Sequence, residues 1–358
     1  MRIPRLVFVT QLMDPADPVL GFSVGWMRAL AARCERLVVI ANEVRHVPAD
    51  LNAEVLSLGK ERGARRSARL ARYLGHLERV LWRGHADALF AHMCPQYLNA
   101  AAPLLALHRV PGMLWFAHPQ DSRSLRFAER AAAVVLTSFP GAFPFASPKV
   151  RVIGQAIDLS PFSECGAPTR TDVLRALALG RLSPAKGFAT MIVAVAKLRA
   201  EGVPVGLRIV GPATTPTEES HSRDLHRLAA DVGPVVTIDP PVEHREVARV
   251  LTNADVLVNG MRAGSGDKVA LEAMAARRLA VWSNPCFDGL GKGLPLRLRY
   301  REDDPDDLAA VLRQIWQAPH EVRLRVGEVL ARRAGEAHSL DGWADRVIEV
   351  VCGLKEAM

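Results

Sequence analysis

Short apolar runs alternate along nearly the whole chain with longer stretches whose apolar positions recur at helical spacing. Runs rich in Val, Ile and Leu followed by helical segments predict parallel strands joined by crossover helices. In a first block the strands are expected at Leu6–Thr10, Arg36–Asn42, Val55–Leu58, Ala86–His92, Gly112–His118, Ala133–Ser138 and Val150–Ile153. The weakly patterned, Pro-containing stretch from Asp158 to Thr169 interrupts the rhythm. It resumes with strands expected at Leu174–Leu179, Gly206–Val210, Val235–Ile238, Ala254–Asn259, Leu279–Ser283 and Leu296–Tyr300, and helices near Phe188–Ala200, Ser222–Val232, Arg245–Thr252 and Lys268–Ala276. The pattern predicts an α/β protein with two Rossmann-like blocks in tandem, divided at 165/166.

Composition narrows the class. With 358 residues, 49% apolar and 23% charged, the chain suits two packed domains and argues against a disordered segment or a coiled coil. Its five cysteines, Cys34, Cys94, Cys165, Cys286 and Cys352, are odd in number and widely spaced, so they form neither a CxxC pair nor a close-spaced metal cluster. A reducing cytosol is the simplest compartment. The first apolar run, Leu6–Val9, is too short for a signal peptide or a membrane span, and a cytoplasmic location is expected.

Charge is distributed unevenly. Of the net +8, residues 1–165 carry +7, with 20 Lys/Arg against 13 Asp/Glu. The densest stretch, 60–83, has eight basic and two acidic residues, with Leu70, Leu74, Leu77 and Leu81 at helical spacing. A solvated helix packed on the sheet is its plainest reading. An anionic bilayer or a pyrophosphate-bearing acceptor is the functional alternative, because Lys and Arg stems can cover apolar surface while their heads reach headgroups. Nucleic acid is not an expected partner, since aromatic interleaving and a recognisable binding module are absent.

Three segments carry candidate chemistry. Gly21 opens a glycine-bearing turn into a helix, where backbone N–H groups can meet an anion, although no GxGxxG fingerprint is present. In ALGRLSPAKGF, Arg181 follows a strand and Lys186 precedes a helix, placing two cations toward the C-terminal sheet edge, where ligands bind in open α/β sheets. They suit a diphosphate whose charge rises as its bond breaks. The turn Gly260–Lys268, which includes Ser265, Gly266 and Asp267, then leads into a helix carrying Glu272. A carboxylate among apolar residues needs a partner, and a ribose diol is one. The acidic run Asp303-Asp304-Pro305-Asp306-Asp307 reads as a helix start rather than a metal site.

These segments resemble the retaining nucleotide-sugar glycosyltransferases of family 4. The matches are GRLSPAKG (Gly180–Gly187), LRIVG (Leu207–Gly211), ADVLVN (Ala254–Asn259) and DKVALEAMA (Asp267–Ala275), in family order and spacing, with HSLDGWADRVIEV (His338–Val350) similar to the family's terminal helix. The resemblance implies a GT-B fold of two facing Rossmann-like domains, 1–165 on the acceptor side and 166–337 on the donor side. Residues 338–358 would cross back to the first domain.

The resemblance also implies transfer of a sugar from a nucleoside-diphosphate sugar to a glycan or lipid-linked hydroxyl, as in cell-surface glycan or lipopolysaccharide synthesis, with retention and no cofactor or metal. Arg181 and Lys186 would hold the diphosphate, Glu272 the ribose, and Gly21 would approach the phosphates. His118 would stand near the reacting face, with a core histidine as the alternative. Where many members have a Glu eight positions before the ribose-binding Glu, this chain has Gly264. Sugar contacts then fall to the backbone around Ser265, Gly266, Asp267 and Lys268 or to another side chain. Through 60–83 the enzyme would associate peripherally with the inner face of the cell membrane. A nucleotide-sugar 2-epimerase, an inverting GT-B transferase and a non-catalytic carbohydrate- or protein-binding homologue are the competing readings.

Overall fold

The computed structural model describes residues 3–17, 20–84, 86–262 and 266–356. The chain divides into two compact units, Met1–Asp158 with His338–Met358, and Leu159–Ala337. The crossing at Leu159 comes a few residues before the boundary drawn from patterning. The turn Ser160–Ser163 packs on the helix Lys268–Ala275, and Cys165 O accepts a hydrogen bond from Arg277 Nη1 at 2.9 Å.

The first unit contains β1 (Arg5–Met13), β2 (Arg36–Val44), β3 (Glu54–Ser57), β4 (Ala88–His92), β5 (Gly112–Trp115), β6 (Val134–Thr137) and β7 (Val150–Val152). They form one parallel sheet in the order β3-β2-β1-β4-β5-β6-β7. Alternation along β1 sends Leu6 and Phe8 to one face and Val7 and Val9 to the other. Helices Arg66–Trp82, Pro95–His108 and Arg123–Ala131 cover the second face, and Phe22–Ala31 covers the first.

The terminal helix Leu340–Glu356 completes the first face. Trp343 is fully buried there, with its ring 4.4 Å from Trp26 and 5.7 Å from Trp115. Reciprocal backbone bonds at 2.9 Å, Ile157 N to His338 O and Leu340 N to Ile157 O, stitch the returning chain to the end of the first segment.

The basic stretch 60–83 is broken. Lys60–Arg62 forms a single 3-10 turn between left-handed Gly59 and Gly63, and the α-helix covers Arg66–Trp82. Half of its cations already have protein partners. Lys60 pairs with Glu43 at 2.7 Å, Arg62 with Glu61 at 3.4 Å, Arg69 donates to Asn42 Oδ1 at 2.6 Å and Arg72 to Leu58 O at 2.9 Å. Arg65, Arg66, Arg79 and Arg83 stay exposed, as do Leu70 and Trp82.

The second unit is built on β8 (Leu174–Leu179), β9 (Val205–Val210), β10 (Val236–Asp239), β11 (Val256–Asn259) and β12 (Leu279–Trp282). These pair in parallel in the order β10-β9-β8-β11-β12. The expected sixth strand, Leu296–Tyr300, does not form. Its only ladder contact among the described residues is an isolated bridge from Arg299 to Trp282, and Pro295 with the preceding glycines leaves a bent approach. The helix expected from Ser222 starts earlier, at Pro216, capped by Thr215 Oγ1 accepting from Glu218 N at 3.2 Å. The acidic run does start a helix, Pro305–Gln317, with Asp304 accepting from Asp307 N at 2.8 Å.

Candidate functional site

Ligands in open α/β sheets bind beyond the C-terminal strand ends where the strand order reverses. In the second unit that reversal lies between β8 and β11, so the turns holding Lys186 and Asp267 meet there. Glycines permit the approach. A Cβ on Gly180, whose φ is +139°, would lie 2.9 Å from both Cε and Nζ of Lys186, and one on Gly260 would lie 2.6 Å from Lys186 O.

The two sequence-predicted cations are held differently. Lys186 Nζ pairs with Asp267 Oδ2, and both side chains are largely shielded, at 17% and 16% exposure. The same Oδ2 accepts from Asn259 Nδ2 at 2.9 Å. Arg181 is 62% exposed and donates from Nη1 to Glu218 Oε1 at 2.9 Å. Glu218 is buried and also accepts from Thr214 N at 2.8 Å and Thr214 Oγ1 at 2.7 Å. Those Thr214 bonds, helped by Arg181, hold its pKa below the ordinary carboxylate value.

Glu272 lies one turn into the helix Lys268–Ala275, is 6% exposed and receives no hydrogen bond from the described residues. Burial, reinforced by the Asp267 charge and opposed by Lys268, pushes its pKa up to about 7. Burial also lowers Lys268 to about 8, against the pull of Glu272 and Asp267. Glu272 and Asp267 border a cavity of about 200 Å³ with apolar walls that include Val210, Pro212, Pro241 and Val242. An apolar slot ending on a carboxylate can take a heterocycle and hydrogen-bond an attached diol. Gly266 is part-exposed just ahead of Asp267, while Ser265 and Gly264 lie outside the described residues.

Two predicted residues belong to the first unit. Gly21 immediately precedes the helix Phe22–Ala31, and a Cβ there would come within 2.5 Å of Asp17 O. His118 follows β5 and is exposed, which removes the core-histidine alternative. Gln120 N donates to its Nδ1 at 3.1 Å, so the neutral ring carries its proton on Nε2.

Sequence reasoning missed Glu218 and Asn259 and did not foresee that Asp267 faces Lys186. A signal for Glu218 was present, since Thr215-Pro-Thr-Glu218 has capping-box spacing. Nothing local in the sequence indicated the Asp267 contact, which joins residues 81 positions apart. Among the described residues no group of three or more His, Cys, Asp or Glu side chains could hold a metal ion.

No curated protein matches the chain in sequence. Residues 174–318 match the family described as glycosyl transferases group 1. Solved structures are similar across nearly the whole chain. A glycosyltransferase from Rickettsia africae matches with TM-score 0.76 and 9% identity, covering 99% of this chain and 100% of that one. Anabaena Alr3699/HepE, solved in complex with UDP, matches with TM-score 0.74 and 14% identity, covering 98% and 100%. Sucrose-phosphate synthase from Thermosynechococcus elongatus matches with TM-score 0.73 and 16% identity, covering 99% and 100%. The fold is GT-B. In GT-B terms, the family match runs from the first residue of β8 to just past the helix Pro305–Gln317, and includes Arg181, Lys186, Asp267 and Glu272. The terminal helix Leu340–Glu356 completes the GT-B plan.

Proposed function

We propose that the protein is a retaining glycosyltransferase of family 4 that moves a sugar from a nucleoside-diphosphate sugar to a hydroxyl. One observation carries this reading. At the β8/β11 reversal, an apolar cavity is bordered by Gly180, which precedes Arg181, by Asp267, which pairs with Lys186, and by the buried Glu272, to which no described residue donates a hydrogen bond. A nucleoside diphosphate presents the complementary sequence of base, ribose diol and two phosphates. Uridine is the favoured base, because the similar Anabaena structure holds UDP. In this reading Gly21 belongs with the donor phosphates and His118 with the reacting face, with Nε2–H of His118 available to a sugar oxygen. Backbone N–H groups at Gly266–Lys268 replace the sugar contacts of the carboxylate that Gly264 cannot supply. The acceptor is a glycan or lipid-linked hydroxyl of cell-surface or lipopolysaccharide synthesis.

A nucleotide-sugar panel read by thermal stabilisation tests the donor assignment, since a ligand that binds only the folded state raises its apparent stability. A UDP-sugar is expected to raise Tm and, with an acceptor, to give a product of unchanged anomeric configuration by NMR. Failure of every nucleoside diphosphate and nucleotide sugar to stabilise the protein would overturn the reading. Because Arg181 and Lys186 supply the positive charge that the departing diphosphate needs, turnover should persist in excess chelator. Complete loss on chelation, reversed by one divalent ion, would contradict that assignment.

No helix among the described residues is long and apolar enough to cross a membrane. The protein acts in the cytoplasm in our reading, attached peripherally through the cations of 60–83 that have no partner among the described residues. Replacing Arg65, Arg66, Arg79 and Arg83 with Gln should then weaken binding to anionic vesicles. Binding by the parent should fall as salt shortens the screening length from about 10 Å at 0.1 M to about 3 Å at 1 M. Vesicle sedimentation with circular dichroism as a folding check measures this, and equal binding by parent and variant would remove the helix as the attachment site.

A further inference from the structure

We infer that Asp267 is a positioning residue, whose carboxylate holds the Lys186 ammonium across the β8/β11 reversal and thereby fixes where that cation meets the donor. The inference rests on the nucleotide-sugar reading above. It gives Asp267 a task different from direct contact with the sugar.

The geometry begins at β11. Asn259, the last residue of that strand, is buried, and its side chain is fixed at both ends. Its Oδ1 accepts from Met261 N at 3.3 Å and its Nδ2 donates to Asp267 Oδ2 at 2.9 Å. Asp267 is therefore anchored to the sheet before it touches Lys186. It precedes the helix Lys268–Ala275, yet its side chain makes no capping bond to that helix. Its oxygen is committed to Asn259 and Lys186, at the expense of the N-cap interaction common for Asp.

Lysine needs such a partner more than arginine does, because an ammonium on a flexible four-carbon stem has no fixed fork of donors. Gly180 lets the stem lie against the strand end, and Asp267 occupies one of the three ammonium donors. Two N–H groups then remain for phosphate oxygens, and the entropy of ordering the side chain is spent before the donor arrives. Arg181 has no equivalent restraint on this helix. Its partner Glu218 comes from the other side, on the helix Pro216–Val232.

The Asp267 charge has a second reach. The ionisable residues lining the cavity are Asp267 and Glu272, with Lys186 paired to the first and Lys268 acting on the second, and it is the negative charge of Asp267 that raises Glu272. Loss of that charge should therefore shift the protonation of Glu272 as well as release Lys186.

Full-length Asp267→Ala and Asp267→Asn separate this role from a plain structural ion pair. We expect Asp267→Ala to raise donor KM and lower kcat, by about tenfold or more combined. Asp267→Asn, which can still accept from both Asn259 and Lys186, should recover part of the loss at unchanged Tm. The acid limb of kcat/KM should move to lower pH in Asp267→Asn, because Glu272 loses a negative neighbour. Kinetics within twofold of the parent in both variants would overturn the inference. So would equal losses in the two variants with an unmoved acid limb, which describe damage to folding alone. If UDP and the other nucleoside diphosphates fail to stabilise the parent itself, the functional reading falls and takes this inference with it. Loss confined to the variants leaves that reading standing.

Discussion

Arg181→Ala and Lys186→Ala should each slow sugar transfer by roughly 10- to 1000-fold, the range for removing electrostatic stabilisation from a leaving group. The two variants should differ in what they do to the fold. Arg181 is mostly exposed, and its loss leaves Glu218 with two bonds from Thr214, so stability should barely change. Loss of Lys186 leaves the shielded Asp267 carboxylate with Asn259 alone, an under-compensated charge. A lower Tm for Lys186→Ala than for Arg181→Ala is expected, and adding Asp267→Asn should restore stability without restoring turnover. Steady-state kinetics and thermal melts on the same samples check both parts. Normal transfer by a folded Arg181/Lys186 double variant would remove the diphosphate assignment.

Replacing Glu272 with Ala should weaken donor binding by about 1.5 to 3 kcal/mol, the worth of hydrogen bonds to a charged acceptor. The penalty should shrink for a 2′-deoxy donor, which offers one hydroxyl fewer, and equal penalties for the two donors would reject the ribose contact. Glu272 also gives the protein a pH signature with a definite sign. Its folded pKa, about 7, lies above the ordinary 4.5, so the folded state holds the proton more tightly than the unfolded chain does. Stability of the free protein should therefore fall as pH rises from about 4.5 to 7, by on the order of 3 kcal/mol, and Glu272→Gln should flatten that slope. Donor affinity should move the other way. The ionised carboxylate accepts the diol bonds, so affinity increases through pH 7 and binding releases a proton. Calorimetry in buffers of different ionisation enthalpy reads that proton directly.

What the sequence revealed and what it concealed separate along physical lines. The positions of most strands along the chain and the glycine turns after β8 and β11 were legible, because burial on both faces makes parallel strands continuous apolar runs and tight turns demand glycine. The segment Leu296–Tyr300 carried the same apolar signature but lacks a partner strand along its length, a property of three-dimensional pairing that composition does not encode. The start of the helix at Pro216 was misplaced at Ser222, because the polar run TTPTEES resembles a loop even though Thr215, Pro216 and Glu218 carry a start signal. Arg181, Lys186 and Glu272 stood out because charge beside an apolar strand or helix is conspicuous. Glu218 did not, and Asp267 stood out as a donor contact but not as the partner of Lys186, since the two ion-pair contacts close over 37 and 81 residues. The exposed cations of 60–83, Arg65, Arg66, Arg79 and Arg83, were likewise indistinguishable in sequence from those engaged with Glu43, Glu61, Asn42 and Leu58.

The return of the terminal helix has a consequence for biogenesis. Trp343, Val347 and Val351 complete the core face built by Phe8, Trp26 and Trp115, so the first unit to be translated is the last that can close. Residues 159–337 emerge entirely before that helix and can reach their final packing while the nascent first unit still exposes an aromatic surface. At synthesis rates of about 5 to 20 residues per second, that surface stays open for roughly 10 seconds or more after Asp158 has been added.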